Sequence, residues 1–329
     1  MDNNPETPPA AGPAPTRPSG TGWERSVLER LAFSALEEQK AKRRWGIFFR
    51  SAIVLLLLGI LLATLAGGEG AAHEGRHTAM VYLHGVIEAK GEANAEKINN
   101  ALQSAFEEKN SVGVILRINS PGGSPVQSGI IYDEIRRLRA KYPDKPLYAV
   151  VEDICASGGY YVASAADKIY VDKASVVGSI GVLMDGFGFT GAMEKLGVER
   201  RMLTAGENKG FLDPFSPADA RQKGYAQSLL NEIHKQFIEA VKNGRGKRLK
   251  ETPDMFSGLV WTGSQSLALG LADDLGTVDT VARDVLKAEK ILDYSVKDNI
   301  AERFAKRLGA STMAGFWGGF SEQAGVRLK

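Results

Sequence analysis

Residues 112–125 read VGVILRINSPGGSP. Apart from Gly113 and Arg117 the run 112–118 is aliphatic on both alternating faces, as in a strand covered from both sides. Ser120-Pro121-Gly122-Gly123 then breaks it sharply. Ser124 suits a helix N-cap and Pro125 the first helical position. Apolar spacing at Val126, Ile130, Ile131, Ile135 and Leu138 carries that helix to residue 141. Working outward, 81–87, 146–151 and 168–171 read as strands, and 94–108 and 158–166 as helices. A long helix is expected over 216–241, with Ser216, Pro217 and Asp219 as its start signal. Alternation of this kind predicts an α/β domain with parallel pairing. No internal repeat stands out.

The chain has 329 residues, 41 basic and 39 acidic side chains, and a net charge of +2. Charged residues make up 24% and hydrophobic ones 43%, which excludes wholesale disorder. The near-neutral balance argues against a nucleic-acid partner bound through a broad basic face. A single cysteine excludes an internal disulfide framework and a cysteine-based zinc site. Four histidines, none in HExxH spacing, argue against a zinc hydrolase. No metal or other cofactor is expected.

The N-terminal part is of another kind. Residues 1–22 hold six of the 13 prolines and read as a disordered tail. Residues 23–44 have helical spacing at Val27, Leu28, Leu31 and Leu36 and end in Lys40, Lys42, Arg43 and Arg44. A helix on a membrane surface and a solvated helix both fit that pattern. From 51 to 68 no residue is charged. Eighteen residues at about 1.5 Å each give roughly 27 Å, close to a bilayer core. With Trp45 to lengthen it, 45–68 is the expected transmembrane anchor, its lipid contact made there. Basic residues crowd its N-terminal flank, so the N-terminus is expected in the cytoplasm and the rest outside. A cleaved signal peptide fits worse, because some 45 residues precede the apolar run. A linker over 69–78, a globular domain over 79–290 and a C-terminal extension over 291–329 complete the expected organisation.

Two glycine-bearing turns follow buried strands and enter helices: Ser120-Pro121-Gly122-Gly123 and Ala156-Ser157-Gly158-Gly159-Tyr160. Free N–H groups at helix starts attract developing negative charge. A serine there, among glycines that let a substrate backbone approach, is placed to be a nucleophile. The N–H groups of Gly123 and Gly158 would form its oxyanion hole. A base is harder to find. No histidine lies between Ser157 and His234, and His234 reads as a partly exposed helix residue. His84 falls in a strand, His73 and His77 in the linker. The remaining route is a neutral lysine. A free lysine must lose about three pKa units, roughly 4 kcal/mol of differential solvation, which burial can supply. Lys209, in GENKGF, is one candidate, and the residues alone do not separate it from Lys168 or Lys173.

The segments INSPGG (118–123), ASGGYY (156–161), GSIGV (178–182), ENKGFLDPFSP (207–217) and VWTGSQSLALGLADDLG (260–276) resemble the signal peptide peptidase A family of serine peptidases. The motifs occur in order over about 79–290. The resemblance implies that Ser157 is the nucleophile, Lys209 the general base, and Ser179 the hydroxyl that orients the lysine amine. It implies a Clp peptidase/crotonase-like spiral of β-β-α units. It implies ring-shaped homo-oligomers in which neighbouring subunits complete each site, since this chain holds one copy of the motif set. It further implies a bacterial inner-membrane peptidase, its domain on the periplasmic side, degrading remnant signal peptides and other apolar peptides. A crotonase-type acyl-CoA enzyme and an inactive scaffold of the same fold are the rival functions. Gly186-Phe187-Gly188-Phe189-Thr190-Gly191 matches G-x-G-x-x-G, but two phenylalanines would crowd a pyrophosphate, so turns near the substrate cleft are expected. Cys155 reads as a small buried hydrophobe.

Overall fold

A computed structural model describes residues 22–66 and 75–296. They belong to two compact units divided after His73. In the first, α1 (Gly22–Ala66) is one unbroken helix of 45 residues. Its Trp45 ring lies 5.8 Å from Phe48 and 5.7 Å from Phe49, on an exposed aromatic band. Among the described residues no helix is long and apolar enough to cross a membrane. The expected span 45–68 is described only in part, its last residues lying outside. The tail 1–21, the linker as far as 74 and the extension from 297 onward also lie outside the described residues.

The second unit is a mixed α/β fold around a mostly parallel sheet. Its elements are β1 (His77–His84), α2 (Ala95–Glu107), β2 (Ser111–Ser120), α3 (Pro125–Lys141), β3 (Leu147–Ala156), α4 (Gly158–Ala163), β4 (Lys168–Val171) and β5 (Val176–Gly178). There follow α5 (Thr190–Leu196), α6 (Ala220–Arg245), β6 (Val260–Thr262), α7 (Gly263–Ala268), β7 (Asp274–Leu275), α8 (Val278–Thr280) and β8 (Ile291–Asp293). The sheet runs β6-β5-β3-β2-β1-β8, and β4 pairs with both β3 and β7. Every pairing is parallel except β5 with β6. β3 is long enough to serve two neighbours in turn: Tyr148–Val150 pair with β4, and Ile154–Ala156 with β5.

The aliphatic run in β2 is explained by cover on both faces. Val114, Leu116 and Ile118 join the main core, with Ile98, Leu102 and Phe106 of α2 and Ile131, Ile135 and Leu138 of α3. Ile115 points the other way, into a smaller cluster with Val150, Tyr170, Val281 and Leu286. Ser124 caps α3 as its sequence foretells, its side chain accepting from the Gln127 N–H.

Three local readings change. His77, expected in the linker, lies in β1 and is fully buried, its ring 2.9 Å from the Tyr294 hydroxyl. β8 pairs with β1 from Thr78 to Met80, so the sheet extends past residue 290. α6 starts at Ala220 with Asp219 as its N-cap, because the Ser216 hydroxyl is turned to Asp213 (2.6 Å) instead of a helix end.

Candidate active site

Two loops meet at the carboxyl ends of β2 and β3. After β2, Gly122 (φ +98°) and Gly123 (φ +149°) take backbone angles that favour glycine. Ile87 clamps this turn: its N–H donates to the Gly122 carbonyl and its carbonyl accepts from the Ser124 N–H, both at 2.8 Å. A Cβ on Gly123 would sit 2.2 Å from the Ile87 oxygen, so no other residue fits. After β3, Ser157 turns the chain into α4 at φ 51°, ψ −123°. That region is essentially glycine's own, and a serine held there is strained. Its N–H donates to the Gly178 carbonyl at 2.8 Å, which fixes the turn against β5. A Cβ on Gly158 would meet the Ser128 hydroxyl at 2.5 Å and the Gly123 nitrogen at 3.2 Å. The two glycine turns therefore touch backbone to backbone.

Ser179 follows β5, also at positive φ (52°), with its N–H donating to the Leu259 carbonyl at 2.7 Å. Behind it Gly178 lies against the Trp261 ring, which a Cβ would meet at 2.6 Å. Ser157, Gly158, Gly123 and Ser179 line one cleft of about 560 Å³. Tyr161 and Phe237, stacked at 4.9 Å between ring centroids, form part of its apolar wall.

Lys209 is not brought to this cleft. It is exposed, in a turn whose N–H donates to the Gly206 carbonyl (3.1 Å), and does not line the cleft. Its loop is fastened to the start of α6 by the Glu207–Arg221 ion pair and by the Leu212 N–H donating to the Gln222 amide oxygen at 2.9 Å. The expected turns at Gly186–Gly188 are absent, the segment having no regular structure, and it lines a separate cleft with Glu207 and Leu212, not the one holding Ser157. Cys155 is fully buried and desolvation pushes its thiol far up, which leaves it inert. Lys168, the first residue of β4, and Lys173, just past its last, are exposed and do not line the cleft. Among the described residues no cluster of His, Cys, Asp and Glu could hold a metal ion.

Sequence reasoning missed the far wall. Ile233 and Phe237, four residues apart on one face of α6, both line the cleft. Their spacing was readable, but nothing local tells which partner that face meets.

Residues 139–292 match the model of peptidase family S49. A putative protease of Methanocaldococcus jannaschii is 30% identical over 273 residues, covering 75% of this chain and 87% of that protein. A putative signal peptide peptidase SppA of Enterococcus faecium is 28% identical over 292 residues, covering 78% and 83%. A Brucella melitensis protein named Na(+)/H(+) antiporter NhaA is 46% identical over 202 residues, covering 60% of this chain. The chain spans only 27% of that protein's length. On the family match and the nearly full-length protease relative, the chain belongs to peptidase family S49.

Proposed function

We propose that the chain is a membrane-anchored serine endopeptidase of the SppA type, with Ser157 as nucleophile and Lys209 as general base. The observation that carries this is the strained Ser157 at a helix start, sharing a cleft with Gly123 and Gly158. Its mostly parallel sheet fits a Clp peptidase/crotonase-like spiral. Neutral Lys209 takes the Ser157 proton as the hydroxyl attacks a peptide carbonyl. The oxyanion rests on the N–H groups of Gly123 and Gly158. Lys209 then protonates the leaving amine, and water hydrolyses the acyl-enzyme. Ser179 orients the amine.

A lysine is a base only when neutral, and burial favours the neutral form. Lys209 is exposed on a single chain, so this reading gives it to the cleft of a neighbouring copy in a homo-oligomeric ring. The segment around it supports a partner surface. Leu183 (80% exposed), Phe187 (79%), Leu196 (77%) and Leu203 (99%) stand in solvent. Residues 45–68 anchor the chain in the bacterial inner membrane, N-terminus cytoplasmic, and remnant signal peptides and other apolar peptides are the substrates. The apolar cleft wall suits such side chains. The family match and the relatives named as proteases favour this over acyl-CoA chemistry.

The test is a serine-directed fluorophosphonate on the full chain in detergent micelles, followed by peptide mass mapping. Modification confined to Ser157, with parallel loss of peptide cleavage, is the expected result. Cleavage that persists in Ser157→Ala overturns the reading, and no labelling with no cleavage moves weight to an inactive scaffold.

A further inference from the structure

The longest helix of the second unit, α6, does two things at once. Its N-terminal end holds the loop of Lys209, through Arg221 and Gln222. Its C-terminal half is built into the core by Phe237, Ala240 and Val241. Between them, Ala226 is its one buried residue. His234 stands where the helix enters the core, half-buried, with Nε2 3.1 Å from the Ile180 carbonyl oxygen. The oxygen has no proton, so the ring nitrogen donates. Ile180 follows Ser179 and is itself fully buried, so its carbonyl is a fixed point. On either side of His234 in the helix, Ile233 and Phe237 line the cleft that holds Ser157 and Ser179.

From this juxtaposition we infer that His234 is a positioning residue: its ring N–H pins α6 to the Ser179 segment and so sets the register of both the cleft wall and the arm that carries Lys209. The inference rests on the Ser157/Lys209 reading above. The arm is long. From His234 to the Asp219 cap is fifteen residues, about 22 Å of helix at 1.5 Å per residue. A rotation of about 1–2° at the pin therefore moves the Lys209 loop by roughly half an ångström. A misplacement of about 1 Å can cost on the order of a hundredfold in rate. His234 touches no substrate in this scheme. Its role is to hold a carbonyl and a helix in one relation, so any side chain with an N–H at the Nε2 position serves.

Three variants of the full chain separate the possibilities: His234→Phe and His234→Leu, which keep apolar bulk without a donor, and His234→Gln, whose amide nitrogen reaches the same place. Steady-state cleavage of an apolar peptide and thermal unfolding are measured on each. The expected result is a fall in kcat of about tenfold in the Phe and Leu proteins, KM within twofold of wild type, an unfolding midpoint little changed, and recovery in the Gln protein. If the Phe variant folds poorly, the Leu and Gln pair carries the comparison. Wild-type kcat in both apolar variants, or a Gln protein as slow as they are, overturns the inference. A wild-type chain without Ser157-dependent cleavage would instead overturn the peptidase reading on which it stands.

Discussion

Ser157→Ala and Lys209→Ala proteins, each inactive alone, regain about a quarter of wild-type activity when unfolded, mixed in equal amounts and reassembled. On the proposed Ser157/Lys209 reading, either substitution alone removes a member of a unit that works jointly, and losses of at least about 10³-fold are the norm for such units. The recovery follows from the placement of Lys209, exposed and away from the cleft that holds its own Ser157. In the ring proposed above every interface is alike, so each cleft would receive the lysine of one defined neighbour. Random assembly pairs an intact serine with an intact neighbouring lysine in roughly one site of four, and those sites work. The measurement is cleavage of an apolar peptide by the mixture, with mass spectrometry to show that mixed oligomers formed. Mixed oligomers that stay silent would place both groups within one chain and send the search for a base elsewhere.

Asp273→Ala lowers stability by about 3–5 kcal/mol, the usual result of stripping the partner from a buried charge. Arg245 has no exposed side-chain surface, and its guanidinium donates to Asp273 at 2.8 Å and to the Gly270 carbonyl at 3.0 Å. The same carboxylate accepts from the Ile169 N–H at 2.7 Å and from Arg248 at 3.2 Å. It thus joins the end of α6, the start of β4 and the segment before β7. In a domain of this size the loss corresponds to roughly 10 °C in the unfolding midpoint, readable by calorimetry. Asp273→Asn, which keeps an acceptor for Ile169, loses less. Burial alone would raise the Asp273 carboxyl. The hydrogen bond and charge of Arg245, with the Ile169 N–H and Arg248, outweigh it and hold it below the usual aspartate range. Its contribution is therefore present above the unfolded aspartate value near 3.9 and fades as pH falls through the lower folded value. The stability gap between wild type and Asp273→Ala narrows below about pH 4. A gap that stays constant down to pH 2 would show that the carboxylate charge is not what matters.

The central β-α units were legible because each carries its signal locally. The β2 run, the Ser124 cap and the β4 strand can be read from a handful of neighbouring residues. The short strands β5, β6, β7 and β8 were not, since two or three residues have no period and exist only through their pairing. Asp273 and Arg245 are 28 residues apart, with nothing in either neighbourhood to announce the other. At the site, glycine and serine patterns pointed to both turns, since backbone geometry selects those residue types. That the turns abut, and that Lys209 stands apart from them, are facts of tertiary assembly.

The backbone at Ser157 carries a further consequence, for the history of such proteins. A side chain held at φ 51°, ψ −123° costs on the order of 1–3 kcal/mol that glycine would not incur. On the proposed reading, cleavage is what repays that cost. A lineage relieved of the need to cut peptides gains by drifting to glycine at this position, and the drift runs downhill in free energy. Retired relatives should therefore show a glycine at this turn more often than a random residue. A serine that persists there is a sign that selection is still acting on the chemistry and not on the fold alone.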